Sequence, residues 1–156
     1  MLALSYTNAQ FRSIINGLGF RSRGLNESNF PISEDERALN NDRSAVTNFQ
    51  NCFGLATDGI VRLHTQITAQ QTMYEIQYEL DLVMKPEPRI RPQNSPFYGP
   101  QTAQVIAYFR RFYGFEANDN LMDDRIADLL VRRKLDALAD LPGSSQARCT
   151  DTKCPL

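Results

Sequence analysis

Two stretches of eleven residues, AVTNFQNCFGL at 45–55 and VIAYFRRFYGF at 105–115, repeat one pattern sixty residues apart. In both, apolar residues recur at the spacing of one helix face, and a glycine, Gly54 or Gly114, follows the last of them. Glycine readily adopts the positive φ at which many helices end, so both stretches are predicted to be helices that stop there. The paired apolar residues are Val46 and Ile106, Phe49 and Phe109, and Phe53 and Tyr113. The sequence therefore predicts one helical unit used twice, with Phe49 and Phe109 as core residues.

Helical patterns also occur in the rest of the chain. Apolar positions recur every three or four residues in three further segments, and Pro100 suits the first turn of a helix. The one stretch that resembles a strand, IVRLHTQIT at 60–68, is short and ambiguous. Helices are predicted over 7–18, 43–53 (after a cap at Asn41 or Asp42), 63–84, 100–113 and 121–141. The sequence therefore predicts an all-α fold.

Short motifs around these helices form a recognisable set. They are LGF at 18–20, AVTNFQNCFGLATDGIV at 45–61 with a turn at Asp58-Gly59, and GPQT at 99–102. This set resembles the peptidoglycan-binding-domain-like family, which is built on a three-helix module. The stretch YGPQTAQVIAYFRRFYGFEANDN at 98–120 matches in its helix, but it has Asn118-Asp119 in place of Asp58-Gly59. The resemblance implies two tandem copies, of which the second has diverged.

The boundaries of the two copies overlap. Within QQTMYEIQYELDLVM at 70–84, QQTMYEI resembles the last helix of the first copy, and YELDLVM stands where the first helix of the second copy should be. We therefore expect one central helix to serve both units. The first unit is predicted to span residues 1–84, with a long loop at 21–40, and the second residues 73–141. A proline-rich connector is predicted at 85–97 and a loose C-terminal tail at 142–156.

Composition and charge exclude several classes of function. The 156-residue chain has 17 basic and 18 acidic residues, so it carries no large positive field that would attract a nucleic-acid backbone. No stretch is long and apolar enough for a transmembrane helix. With His64 as the only histidine, a catalytic triad or a zinc site is hard to build. We expect no enzymatic activity, no cofactor and no metal, and the sequence does not indicate an oligomeric state.

Two binding hypotheses remain. The resemblance implies a non-catalytic module that binds peptidoglycan. The alternative is an intracellular protein-interaction or scaffold protein that reuses the module, because aromatic residues near the connector exceed what one small helix normally buries. Arginines beside those aromatics would suit a carboxylate of either ligand. The candidate binding residues are Arg89, Arg91, Tyr98, Tyr108, Arg110 and Arg111, and the candidate structural residues are Phe49, Gly54, Asp58, Gly59, Phe109 and Gly114.

The three cysteines and the N-terminus bear on cellular location. Cys52 lies within the helical repeat and is expected to be a small buried apolar residue. Cys149 and Cys154 are expected to be exposed thiols on the tail, although a disulfide between them is geometrically feasible. The N-terminus MLALSYTNAQ lacks the basic region of a secretory signal. A cytoplasmic location is therefore expected, and a cell-envelope location stays open if a processed leader precedes the given sequence.

Overall fold

The computed structural model describes residues 6–20, 43–91, 97–115 and 125–140. Across these ranges the backbone forms five α-helices and no strand, which confirms the predicted all-α class. The helices are α1 (Asn8–Gly17), α2 (Arg43–Cys52), α3 (Leu63–Met84), α4 (Pro100–Phe112) and α5 (Leu129–Ala139). None of these five combines the length and the apolar character needed to cross a bilayer. The predicted loop at 21–40, the caps at Asn41 and Asp42 and the tail at 142–156 lie outside the described residues.

A capping box begins α1. The Thr7 hydroxyl accepts a hydrogen bond from the Gln10 amide at 3.1 Å, and the Gln10 side chain accepts one from the Thr7 amide at 3.0 Å. These two bonds satisfy backbone donors that the first turn leaves without a helical partner. Phe11, Ile14 and Ile15 follow on the buried face of the helix. Gly19, at φ +85°, turns the chain so that Phe20 returns to the core.

The ends of α2 and α4 are built alike. The Leu55 amide donates to the Gln50 carbonyl at 2.8 Å, and the Phe115 amide donates to the Arg110 carbonyl at 2.7 Å. Each bond spans five residues, as in a Schellman motif, and requires the intervening glycine to adopt a left-handed conformation. Gly54 has φ +70° and Gly114 has φ +79°. The glycine stops predicted at these positions therefore coincide with the helix ends, and Phe49 and Phe109 are fully buried.

The last helix is shorter than predicted. It begins at Leu129, where the Asp128 carboxylate accepts from the Val131 amide at 3.0 Å and caps the first turn. The prediction extended this helix back to residue 121, but Ile126 and Ala127 are not helical, and both are buried. The Ala127 amide donates to the Gly17 carbonyl of α1 at 2.7 Å, so it is not available for a helical hydrogen bond. A tertiary contact thus overrides the local helical pattern.

Buried contacts join the first helix to the last. The guanidinium of Arg132 donates to the carbonyl oxygens of Leu18 at 2.9 Å and Ala127 at 2.7 Å, and it lies 5.6 Å from the Phe20 ring centroid. Burial lowers the pKa of Arg132 to about 10, so the side chain remains cationic at neutral pH. The sequence analysis had assigned no tertiary role to this residue.

The core centres on α3, which packs against α1, α4 and α5. Its buried residues Met73, Ile76 and Leu80 follow the predicted apolar stripe. Tyr98, just before α4, is also fully buried: its ring lies against Gly17, and its hydroxyl donates to the carbonyl of Arg125. Elements from both ends of the chain therefore share one core.

The close approach of Tyr98 to α1 leads to a first prediction. A Cβ added to Gly17 would overlap three ring atoms of Tyr98. We expect Gly17→Ala to lower the free energy of unfolding by roughly 1–3 kcal/mol, the usual cost of overpacking a core. Urea denaturation monitored by helical circular dichroism would measure the change.

A matched glycine variant is the control for this prediction. Gly54 has φ +70° but no atom within 4 Å of an added Cβ, so Gly54→Ala tests backbone strain without overlap. We expect it to cost about 1 kcal/mol. A Gly17→Ala protein as stable as wild type would contradict the packing of Tyr98 against α1.

Candidate functional site

The Gln50 amide organises the loop between α2 and α3. Its Nε2 donates to the Ile60 carbonyl at 3.0 Å and to the Thr65 hydroxyl at 3.2 Å, and its Oε1 accepts from the Gly59 amide at 2.9 Å. Gly59 has φ +75°, and an added Cβ would meet the Arg43 side chain. Because Gln50 is buried, these bonds hold the loop in one position relative to both helices.

Asp58 stabilises the same loop from the solvent side. Its carboxylate accepts from the Ile60 amide at 3.0 Å and from the Gln50 side chain at 3.3 Å, and it pairs with Arg62 at 3.2 Å. The pKa of Asp58 is lowered, chiefly by the hydrogen bond from the Ile60 amide and further by Gln50 and Arg62. Both residues of the predicted Asp58-Gly59 turn thus lie in one hydrogen-bonded loop beside the start of α3.

Arg110 occupies the position in α4 that Gln50 occupies in α2. Its guanidinium donates to the Ile126 carbonyl at 3.1 Å and lies 3.7 Å from the Asp128 carboxylate, which caps α5. Arg110 is buried, so it anchors the segment before α5 just as Gln50 anchors the loop before α3. This placement corrects the expectation that Arg110 lies on a binding surface.

The six predicted binding residues do not form one exposed surface. Tyr98 and Arg110 are buried, whereas Tyr108 and Arg111 lie on an exposed face of α4, with the Arg111 guanidinium 5.5 Å from the Tyr108 ring centroid. Phe112, next to them, is 75% exposed. The other two predicted residues, Arg89 and Arg91, are exposed after the end of α3.

A cleft of about 380 Å³ opens between the end of α2 and the first half of α3. Leu55 and Ile67 contribute apolar side chains, and the polar side chains are the amide of Gln71, two threonine hydroxyls and the exposed imidazole of His64. The hydroxyls of Thr68 and Thr72 donate to carbonyls of α3 itself, at 3.0 and 2.8 Å. Thr72 is buried, whereas the half-buried Thr68 retains lone pairs for a ligand donor. The cleft is lined by Phe53, Gly54, Leu55, His64, Ile67, Thr68, Gln71 and Thr72.

The cleft continues into an exposed face of α3. Helical spacing places on one side of α3 a set of residues that we call the α3 face: His64, Ile67, Thr68, Gln71, Tyr74, Glu75, Tyr78 and Leu82. The rings of Tyr74 and Tyr78 lie nearly parallel, with 10° between their planes and 6.4 Å between their centroids. They are 45% and 44% exposed. From His64 to Leu82 this face extends about 27 Å at 1.5 Å per residue.

A second cleft, of about 440 Å³, lies between α3 and the start of α4. Its polar side chains connect parts of the chain. Gln77 donates to the Phe97 carbonyl and to the Thr102 hydroxyl, both at 3.0 Å, and Gln101 donates to the Pro88 carbonyl at 2.6 Å. The polar side chains of this cleft therefore hold Phe97 and Pro88 in place and are already hydrogen-bonded within the chain. The α3 face is the better candidate for binding a ligand.

The α3 face was missed by the sequence analysis, which used α3 only for its buried stripe. A signal was nevertheless present, because Tyr74, Tyr78 and Leu82 are large residues at i, i+4 and i+8 on the side opposite the core residues. Within the described ranges, no group of three His, Cys, Asp or Glu side chains is placed to hold a metal ion. Apart from His64 and the carboxylate of Glu75, the α3 face presents neutral amide, hydroxyl, aliphatic and aromatic side chains.

Cys52 forms a disulfide in the structure and is fully buried. The only other cysteines of the sequence, Cys149 and Cys154, lie outside the described residues. The expectation of a buried residue is met, but the expectation of a simple apolar filler is wrong, because Cys52 is covalently paired. Such a bond persists mainly in oxidising compartments.

Comparison with family models, with curated proteins and with solved structures gives no match. The resemblance to the peptidoglycan-binding-domain-like family therefore rests on the motifs LGF, AVTNFQ, DGIV and GPQT alone. The assignment of the α3 face as a candidate site rests on geometry.

The Asp58 carboxylate makes stability depend on pH. Its folded pKa lies below the unfolded value of about 3.9, so its contribution is present above that value and is lost as pH falls through the folded pKa. We expect Asp58→Asn to be less stable than wild type at pH 7, and the difference to shrink toward pH 3. Urea titrations at several pH values would measure it. Thr57→Ala, an exposed neighbour without a titrating group, should give a curve parallel to wild type.

The disulfide at Cys52 leads to a prediction about the number of reactive thiols. One disulfide uses two of the three cysteines, so protein purified without reductant should show one thiol per chain when titrated in denaturant. After reduction, three thiols should react. Three reactive thiols before reduction would contradict the pairing of Cys52.

Proposed function

We propose that this chain is a non-catalytic binding module whose ligand is peptidoglycan, bound along the α3 face. The observation that carries the proposal is the placement of a hydrogen-bonding cleft and a pair of exposed tyrosines on the same face of one helix. Amide and hydroxyl groups can bond the hydroxyl and amide groups of a glycopeptide polymer, and aromatic rings supply rigid contact area. The motif resemblance names the same ligand class.

We also propose that the fold consists of two fused three-helix units that share α3. In support, Gln50 and Arg110 stand sixty residues apart and bond the carbonyls of Ile60 and Ile126, in the segments before α3 and α5 respectively. The segment between Gly114 and Ile126 is six residues longer than the one between Gly54 and Ile60. An insertion there would account for the missing Asp-Gly turn in the second unit.

The location that suits this function is the cell envelope. The disulfide at Cys52 favours an oxidising compartment over the cytoplasmic location expected from the N-terminus. A buried, covalently paired cysteine is stable in such a compartment, where peptidoglycan is also found.

A sedimentation assay with purified insoluble peptidoglycan tests the proposal. The wild-type chain should be retained, and Gln71→Ala should weaken retention severalfold, since it removes an exposed amide from the cleft at a cost of roughly 0.5–1.5 kcal/mol. Gln70→Ala is the matched control, because Gln70 is the adjacent residue on α3 and does not line the cleft. Absence of wild-type retention would refute the proposal.

A second candidate function is protein interaction through the exposed face of α4. Tyr108, Arg111 and Phe112 place two aromatic rings and a cation together on that face, and such residues often anchor protein interfaces. The equivalent positions of α2 are Asn48, Asn51 and the buried Cys52, so only α4 carries this surface. A complex that forms in native extract and is lost in Phe112→Ala, together with no retention on peptidoglycan, would favour this candidate.

A further inference from the structure

Resting on the proposed function, we infer that the α3 face binds the glycan backbone of peptidoglycan, an uncharged chain of amino sugars, and not its charged stem peptide. Three features of the face carry this inference: its charge, its aromatic pair and its open, elongated shape.

The charge of α3 argues against a peptide with free carboxylates. From Leu63 to Met84 the helix contains no lysine and no arginine. The one acid on the α3 face, Glu75, is half-buried. Of the flanking cations, Arg62 is paired with Asp58, and Lys85 lies beyond the last residue of the helix, more than two turns from Tyr74 and Gln71. A carboxylate ligand is normally recognised by a guanidinium or an ammonium group, and the helix offers none. A neutral ligand does not require a cationic partner, so the lack of lysine and arginine in α3 does not oppose its binding.

The tyrosine pair suits sugar rings. Tyr74 and Tyr78 lie one helical turn apart with nearly parallel rings, and each leaves close to half of its surface in solvent. A pyranose ring presents an apolar C–H face that packs against an aromatic ring, while its hydroxyls remain in water or bond neighbouring groups. Tyrosine supplies this contact area with little loss of side-chain freedom.

The cleft end of the face supplies the polar partners. Gln71 offers both an amide donor and a carbonyl acceptor, Thr68 offers hydroxyl lone pairs, and His64 is exposed beside them. These are the groups that bond hydroxyls and N-acetyl amides. Gln71 precedes Tyr74 by three residues on the same face of α3, so consecutive sugars can lie along the helix from the cleft to the tyrosines.

The experiment separates the glycan from the peptide. Isothermal titration of the full chain would use an N-acetylglucosamine hexasaccharide as the glycan probe and a synthetic stem pentapeptide as the peptide probe. We expect the hexasaccharide to bind, with an affinity that is unchanged between low and high salt because the ligand is neutral. We expect no heat from the pentapeptide.

Variants locate the binding on α3. Tyr74→Ala and Tyr78→Ala should each weaken hexasaccharide binding at least about fivefold, while circular dichroism shows the helices intact. Leu130→Ala is the matched control. The side chain of Leu130, on α5, is 47% exposed, a fraction similar to those of the two tyrosines, and its truncation should leave the affinity unchanged. Equal affinity of both tyrosine variants and wild type would overturn the inference.

The outcomes also separate this inference from the proposed function. Retention on intact peptidoglycan with binding of the pentapeptide and not of the hexasaccharide would overturn the glycan assignment and leave the proposed function standing. Hexasaccharide binding without retention on intact peptidoglycan would support the glycan chemistry of the α3 face and overturn the proposed function. Absence of binding for both the hexasaccharide and the pentapeptide would overturn the inference.

Discussion

The buried guanidinium of Arg132 is the contact on which the arrangement of the helices depends. It bonds the carbonyl oxygens of Leu18 and Ala127, the first at the end of α1 and the second just before α5. A buried cation without such acceptors would cost several kilocalories per mole, so the position of α5 is tied to the end of α1. The bond from the Ala127 amide to the Gly17 carbonyl and the packing of Tyr98 against Gly17 reinforce the same junction.

This junction explains why α3 presents a long open face. With α1 and α5 joined, they and α4 pack on α3 and cover Met73, Ile76 and Leu80. The opposite side of the helix carries Tyr74 and Tyr78, which are 45% and 44% exposed. The exposed tyrosines thus follow from the packing of the other helices, and the same constraint that closes the core also forms the candidate site.

The segments before α3 and before α5 are each anchored by one buried side chain, but the two side chains differ in chemistry. The segment before α3 is held by the neutral amide of Gln50 and the segment before α5 by the charged Arg110. An amide suffices in the first case because Asp58 already fixes its loop through the Ile60 amide. In the second case the guanidinium also neutralises Asp128, the residue that caps α5. Two helices with the same sequence pattern and the same glycine end thus anchor the segments that follow them through different side chains.

The all-α class, the glycine stops at Gly54 and Gly114 and the burial of Phe49 and Phe109 could be predicted from the sequence, because capping and helical periodicity are local properties of the chain. The start of α5, the burial of Tyr98 and Arg110 and the exposure of the α3 face could not be predicted in this way. Those outcomes depend on contacts between residues far apart in sequence, such as Gly17 with Ala127 and Leu18 with Arg132. A periodic pattern shows that a helix has a polar and an apolar side, but which residues remain in solvent is decided by the helices that pack against it.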